Sequence, residues 1–279
     1  MRSTPQVSDR RKPAWAGLLA AAVDGVRAGA AGALASPAAL VGRSLFYVVL
    51  MLIISAFWDL AARHPAAGAL AHVPEAGLAI YAGATEWLVL SVAPIHLRLE
   101  DDIRLGALEA GLLRPKPHLL MAVAESFGVA LVRQITLGGV ALALLLISGR
   151  TAPPWLALVG LAALGPGAAL IGTLAFAGAG ATAFWARRSL AAYLVLQKAS
   201  FLLGGLLAPV SLYPPLLARV AAASPFAAQL YWPARLTLEP SVRVFGVAVL
   251  SQLVWLALLG IGAGALWRAG VRKLLREGV

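Results

Sequence analysis

HLRLEDDIRLGALEAGLLRPKPH, residues 96–118, is the one dense polar interruption in an otherwise apolar chain. Arg98, Glu100, Asp101, Asp102 and Arg104 fall within seven residues, in a protein of which only 13% is charged. Apolar runs flank it, over 77–95 before and 119–148 after. About 20 apolar residues cross a hydrocarbon core of ~30 Å, so the interruption reads as a water-exposed connector between two membrane spans. Within it Leu99, Ile103, Ala107 and Ala110 recur at helical spacing and leave acidic and basic flanks. The carboxylates at 100–102 stand near the helix start, where they complement the macrodipole. Gly106 and Gly111 weaken the helix, and Pro115 and Pro117 end it. Such a helix is either a solvated connector or a handle that plugs into a groove on a soluble partner. The residues by themselves leave both open.

Outward from this segment the rest of the chain is nearly all membrane. Of 279 residues 61% are hydrophobic, and the mean hydropathy is +0.84; soluble domains carry roughly 45–50% apolar residues. The class is an all-α polytopic membrane protein. A β-barrel would show short segments of alternating polarity, and none occur. Six spans are expected, over 44–60, 77–95, 119–148, 155–184, 191–207 and 244–266. Residues 1–43 form a cytosolic N-terminus whose weakly apolar helix, 14–35, lies along the inner leaflet. A signal peptide is the less favoured reading, because Asp24 and Arg27 follow directly on the apolar run. Span 4 holds Gly160, Gly165, Gly167, Gly172, Gly178 and Gly180, small residues that let helices approach closely in lipid. Between spans 5 and 6, residues 208–240 are broken by Pro209, Pro214, Pro215, Pro225, Pro233 and Pro240. These pieces are too short to cross and read as outer re-entrant half-helices, which lipid tolerates only under protein cover or along a wet cavity.

The net charge of +11 follows the rule that basic residues collect on the cytoplasmic side. With both termini inside, sixteen Lys and Arg fall on the inner side and five (Arg63, Arg150, Arg219, Arg235, Arg243) on the outer. That places 96–118 in the cytosol. No basic patch interleaved with aromatics speaks for nucleic acid. Cysteine is absent and the four histidines, His64, His72, His96 and His118, lack metal-ligand spacing. No catalytic motif occurs and no Gly-x-x-x-x-Gly-Lys-Ser/Thr loop. The chain reads as no enzyme, with no catalytic residue, metal or cofactor of its own; if ATP drives it, another chain binds the nucleotide.

Ionisable residues inside spans are functional suspects. Glu86 in span 2 and Arg133 in span 3 are expected to pair, either as a register-fixing contact or as part of a substrate or proton route.

Three stretches carry a resemblance: LEDDIRLGALEAGLLRP (99–115), Phe184-Trp185 at an inner turn, and PVSLYPPLLARVAAASPF (209–226) with the following Tyr231-Trp232-Pro233-Ala234. In that order the chain resembles an ABC-2-type transporter permease of the six-span, drug- and viologen-exporter-like kind. The resemblance implies a bacterial cytoplasmic-membrane subunit that dimerises with itself or a sister permease. ATP and Mg would be bound by a separate ATPase subunit. It makes 96–118 the coupling helix, with Glu100, Asp101, Asp102, Ile103, Arg104, Glu109 and Arg114 as its contacts to that ATPase. Spans 1, 2 and 5 would then line a substrate path bearing Tyr47, Phe57, Tyr81, Glu86 and Phe201. The alternative is an ion- or proton-coupled secondary transporter using Glu86 and Arg133. Such folds usually show internal repeats, and the two halves show none.

Overall fold

The computed structural model describes residues 14–62, 75–108, 117–149 and 152–277, in which every regular element is helical. The principal helices are α1 (Ala14–Leu34), α2 (Pro37–Ala62), α3 (Glu75–Ser91), α4 (Ile95–Arg104), α5 (His118–Ile147), α6 (Trp155–Ala181), α7 (Leu190–Leu203), α8 (Pro215–Ala222) and α9 (Val242–Glu277). Six helical stretches among the described residues are long and apolar enough to cross a membrane: Trp15–Leu34, Pro37–Ala61, Gly77–Arg104, His118–Ile147, Trp155–Ala186 and Val242–Arg276. Leu45, Phe46, Val49, Leu52 and Ile53 of α2 and Leu250, Leu253, Leu258 and Ile261 of α9 stand exposed. Apolar faces this continuous are foreign to soluble monomers and suit contact with lipid chains.

α3 is the hub. Arg43 Nη1 donates to Leu90 O at 2.9 Å and Tyr47 OH to Gly83 O at 3.0 Å, which sets α2 antiparallel to α3. Trp87 Nε1 donates to Gln134 O at 2.8 Å, and Gln134 Nε2 to Gly165 O at 2.7 Å, so α3, α5 and α6 are chained through side chains. In lipid no water competes for these carbonyls, so each polar side chain must find a partner within the bundle. The glycines of α6 are seats for large neighbours. A Cβ at Gly165 would stand 2.9 Å from the Trp87 ring, one at Gly160 2.9 Å from Leu236, and one at Gly167 would overlap the Gln252 amide. α9 runs parallel to α6, with Phe245 near Gly160 at one end and Phe184 against Gly270 at the other.

Two expectations change. Span 5, expected over 191–207, is the 14-residue α7, roughly 21 Å at 1.5 Å per residue and short of a full crossing. Gly205 stops it: at φ +68° it takes the left-handed conformation that ends helices, and its carbonyl accepts Tyr81 OH at 2.7 Å. The chain goes on as a short 3-10 turn, α8 and a wide π-turn over Ala227–Tyr231. Gln252 Nε2 reaches Ala228 O at 3.3 Å, about 15 Å along α9 from its start. The broken backbone is covered by α3, α6 and α9, the condition under which lipid-depth irregularity is allowed. At the other extreme, the last span does not stop near 266; α9 continues for 36 residues through the basic tail. α1, read as interfacial, is long enough to rank among the six and lies along the first half of α5, where Gly25, Gly29 and Gly128 bring the two backbones together.

Candidate partner-docking site

α4 carries the polar interruption, and its two faces have different fates. Ile95, Leu99 and Leu108 are buried with Ala122 of α5, Ala177 and Ala181 of α6, Trp267 of α9, and Phe184 just past α6. Gly180 admits Leu99, whose Cβ lies 3.0 Å from where a Cβ at 180 would stand. Each such leucine or isoleucine is worth about 1.5–3 kcal/mol of burial, enough to hold a ten-residue helix that is marginal alone. His96 stacks on Tyr193 of α7 at 3.8 Å and 12°.

Three polar contacts complete the inward side. Glu100 is 6% exposed, and its Oε2 accepts both Ser189 N–H and Ser189 Oγ at 2.7 Å. Ser189 precedes α7, so a carboxylate from α4 sits at the positive end of α7, where charge and dipole agree. Asp102 Oδ2 lies 2.9 Å from His118 Nε2, and His118 stacks on Trp267 at 5.7 Å and 11°. Arg98 pairs with Glu125 of α5.

The outward side is bare. Leu97 is 51% and Leu105 77% exposed, and Asp101 and Arg104 are exposed beside them. Arg104 Nη1 stands 3.6 Å from Glu100 Oε1, a weak i,i+4 contact. Of the seven residues expected on the contact surface, Asp101 and Arg104 face outward and Ile103 is half-buried against the inner cluster. Glu100 and Asp102 turn inward, a correction to the sequence reading. Glu109 and Arg114 lie outside the described residues. Sequence reasoning passed over Leu97 and Leu105, although 97, 101 and 105 recur four apart and so share a face. Ser189 carried no signal beyond standing at the start of an apolar run.

Among the expected path residues, Tyr47 and Tyr81 are 1% and 0% exposed, and both hydroxyls donate to backbone carbonyls, so they hold helices together. Phe57 is 61% exposed and edge-on to Trp58. Phe201 is half-buried beneath Lys198, whose Nζ is 5.4 Å from its ring. Glu86 and Arg133 do not pair: Arg133 Nη1 donates to Val92 O at 3.1 Å. The reason is helical geometry. Trp87 points to α5, and Glu86, the preceding residue, stands about 100° away around α3. Among the described residues no three His, Asp or Glu side chains come together as a metal site; His64 and His72 lie outside them.

This is a multi-pass helical membrane protein with an amphipathic helix fastened across one end of its spans. Residues 84–278 match the family described as ABC-2 family transporter protein, and the chain belongs to that family. The matched region opens inside α3 and takes in α4 and all that follows; α1 and α2 precede it. No curated protein matches the sequence. Family membership makes the chain an ABC permease subunit, a transport component with no catalytic role of its own.

The Glu100–Ser189 contact gives a prediction of its own. Glu100→Ala leaves the buried Ser189 N–H without an acceptor and the Ser189 hydroxyl with only its longer contact to His96 O at 3.5 Å, at a cost of about 2–3 kcal/mol. A fall in unfolding temperature of several degrees is expected in detergent, while Asp101→Ala, on the open face, leaves it within about 1 °C. Equal effects from the two would contradict the placement of Glu100.

Proposed function

We propose that the open face of α4, Leu97, Asp101, Arg104 and Leu105, docks into a cleft of an ATPase subunit, and that this chain forms half of an ATP-driven exporter. The observation that carries the reading is the division of α4: one face sealed into the inner ends of α5, α6 and α9, the other left with two exposed leucines and a charge of each sign. Family membership supports it, as does a sequence without a phosphate-binding loop. ATP and Mg are bound by the partner. Two copies, or this chain and a sister permease, enclose a path between α2, α3 and α7. Nucleotide binding draws the two α4 helices together as rigid bodies, and the Glu100 carboxylate on Ser189 passes the movement to α7. Because α7 ends partway across, its motion bears directly on the broken outer segment 204–240, which acts as the exit gate. The distribution of basic residues, sixteen against five, supports a cytosolic side for both termini and α4, and the membrane in this reading is a bacterial inner membrane.

The ion-coupled alternative rests on Glu86 and Arg133 acting together, and the guanidinium of Arg133 is turned to Val92 O. Purification of the tagged protein from mild detergent is expected to bring an ATPase subunit with it, and transported substrate to stimulate ATP hydrolysis in the reconstituted pair. Absence of that subunit would overturn the reading. So would Glu86→Gln abolishing transport while the ATPase stays bound and active, which points instead to ion coupling.

A further inference from the structure

Past α6 the chain makes a one-turn helix, Ala183–Ala186, and reverses at Arg187, the one non-glycine residue of positive φ (56°) among those described. The turn is clamped to α9. Phe184 fills the space over Gly270, meets Trp267 edge-on at 5.2 Å, and accepts Lys273 Nζ on its carbonyl at 3.0 Å. The next residue, Trp185, is thereby held beside the last turns of α9 and left 45% exposed. Between them lies a cleft of about 570 Å3 lined by Trp185, Ala269, Arg272, Lys273 and Arg276. Its described lining holds three cationic side chains and no carboxylate. Arg272 and Arg276 are one helical turn apart, exposed, and in no ion pair with a described residue.

We infer that this cleft binds the phosphate of an anionic phospholipid of the inner leaflet. Depth favours a lipid. α6 has 27 residues, about 40 Å, and is bracketed by Trp155, 74% exposed, and Trp185. That length matches a bilayer with its headgroups, roughly 40–45 Å, and tryptophans mark both of its interfaces. Trp185 therefore stands at headgroup level with an arginine pair beside it. Planar guanidinium groups take phosphate oxygens two at a time, and basic pockets between helices on the cytoplasmic side suit anionic headgroups. Inner-side basic residues that only orient the chain have no need of a shaped cleft or of a clamped tryptophan.

The test is native mass spectrometry of the full-length protein in detergent, titrated with phosphatidylglycerol or with phosphatidylcholine. Arg272→Gln/Arg276→Gln is set against Arg219→Gln/Arg243→Gln, which removes the same charge from outside the cleft. One tightly held phosphatidylglycerol is expected on the wild type and on the control pair, with affinity about thirtyfold lower on the cleft pair. Unfolding temperatures of both pairs should match the wild type without added lipid. Equal affinity across the three proteins overturns the inference, as does wild-type binding of phosphatidylcholine as tight as phosphatidylglycerol. Inorganic phosphate at millimolar concentration displacing phosphatidylglycerol completely would also overturn it, because the site would then be one for free phosphate.

Discussion

Leu97→Glu/Leu105→Glu is expected to weaken binding of the ATPase subunit about a hundredfold or more, while the unfolding temperature of the isolated permease stays within about 2 °C. The two leucines are 51% and 77% exposed and contribute little to the fold, so their replacement falls in the range of ordinary surface changes. At an interface the same side chains are the only apolar anchors that the described part of α4 offers. Buried anchors at the centre of an interface cost about 2 kcal/mol or more each when lost, and two carboxylates in an apolar pocket add desolvation. Asp101→Ala, a charge at the rim, should act mainly on association rate and salt dependence, by about tenfold or less. Binding is read by co-purification and by titration of labelled ATPase subunit. An unchanged affinity in the double variant would remove α4 from the interface.

The second large effect concerns α1. Gly29→Leu is expected to strip α1 from α5 and lower stability by about 3 kcal/mol or more. A Cβ at Gly29 would overlap the carbonyl of Glu125 and come within 2.9 Å of its Cα, and one at Gly128 would overlap Val26 O. Both obstacles are backbone, which cannot rotate away as a side chain does, so overpacking here exceeds the usual 1–3 kcal/mol. Gly32→Leu is the matched control. Nothing lies within 4 Å of a Cβ at Gly32, and loss of a helical glycine stabilises by up to about 1 kcal/mol. Unfolding temperature and protease sensitivity of the first 35 residues are therefore expected to move in opposite directions for the two variants. Similar behaviour would contradict the seam.

How much of this was legible in the sequence depends on the range of the interaction. The buried stripe of α4 follows from Leu99 and Ile103 at helical spacing, because a short helix between spans has one way to hide its apolar face. The small residues of α6 announced close packing, and Trp87, Gln252 and Leu236 occupy the places they leave. Which charges of α4 turn inward was hidden. Glu100 finds its partner 89 residues on, at Ser189, and only because the chain reverses at Arg187. The early end of α7 was hidden as well: hydropathy runs on smoothly through Gly204 and Gly205, while the stop lies in a positive φ. Adjacent spans made a Glu86–Arg133 pair plausible, but Trp87 rather than Glu86 is the residue that α3 turns to α5, and Arg133 donates to Val92 O. Periodicity fixes what each helix buries; the rotation of one helix against another is settled by the whole bundle.

The central claim is that the open face of α4 is covered by an ATPase subunit. The chain has no cysteine, so Leu105→Cys supplies a single thiol at a position 77% exposed on that face. Its labelling by a membrane-impermeant maleimide should be measured in inside-out vesicles, with and without the co-expressed ATPase subunit, and in right-side-out vesicles. Rapid labelling is predicted in inside-out vesicles without the ATPase, strong protection with it, and none from the outer side. Equal labelling with and without a bound ATPase, or labelling from the outer side, would contradict the account.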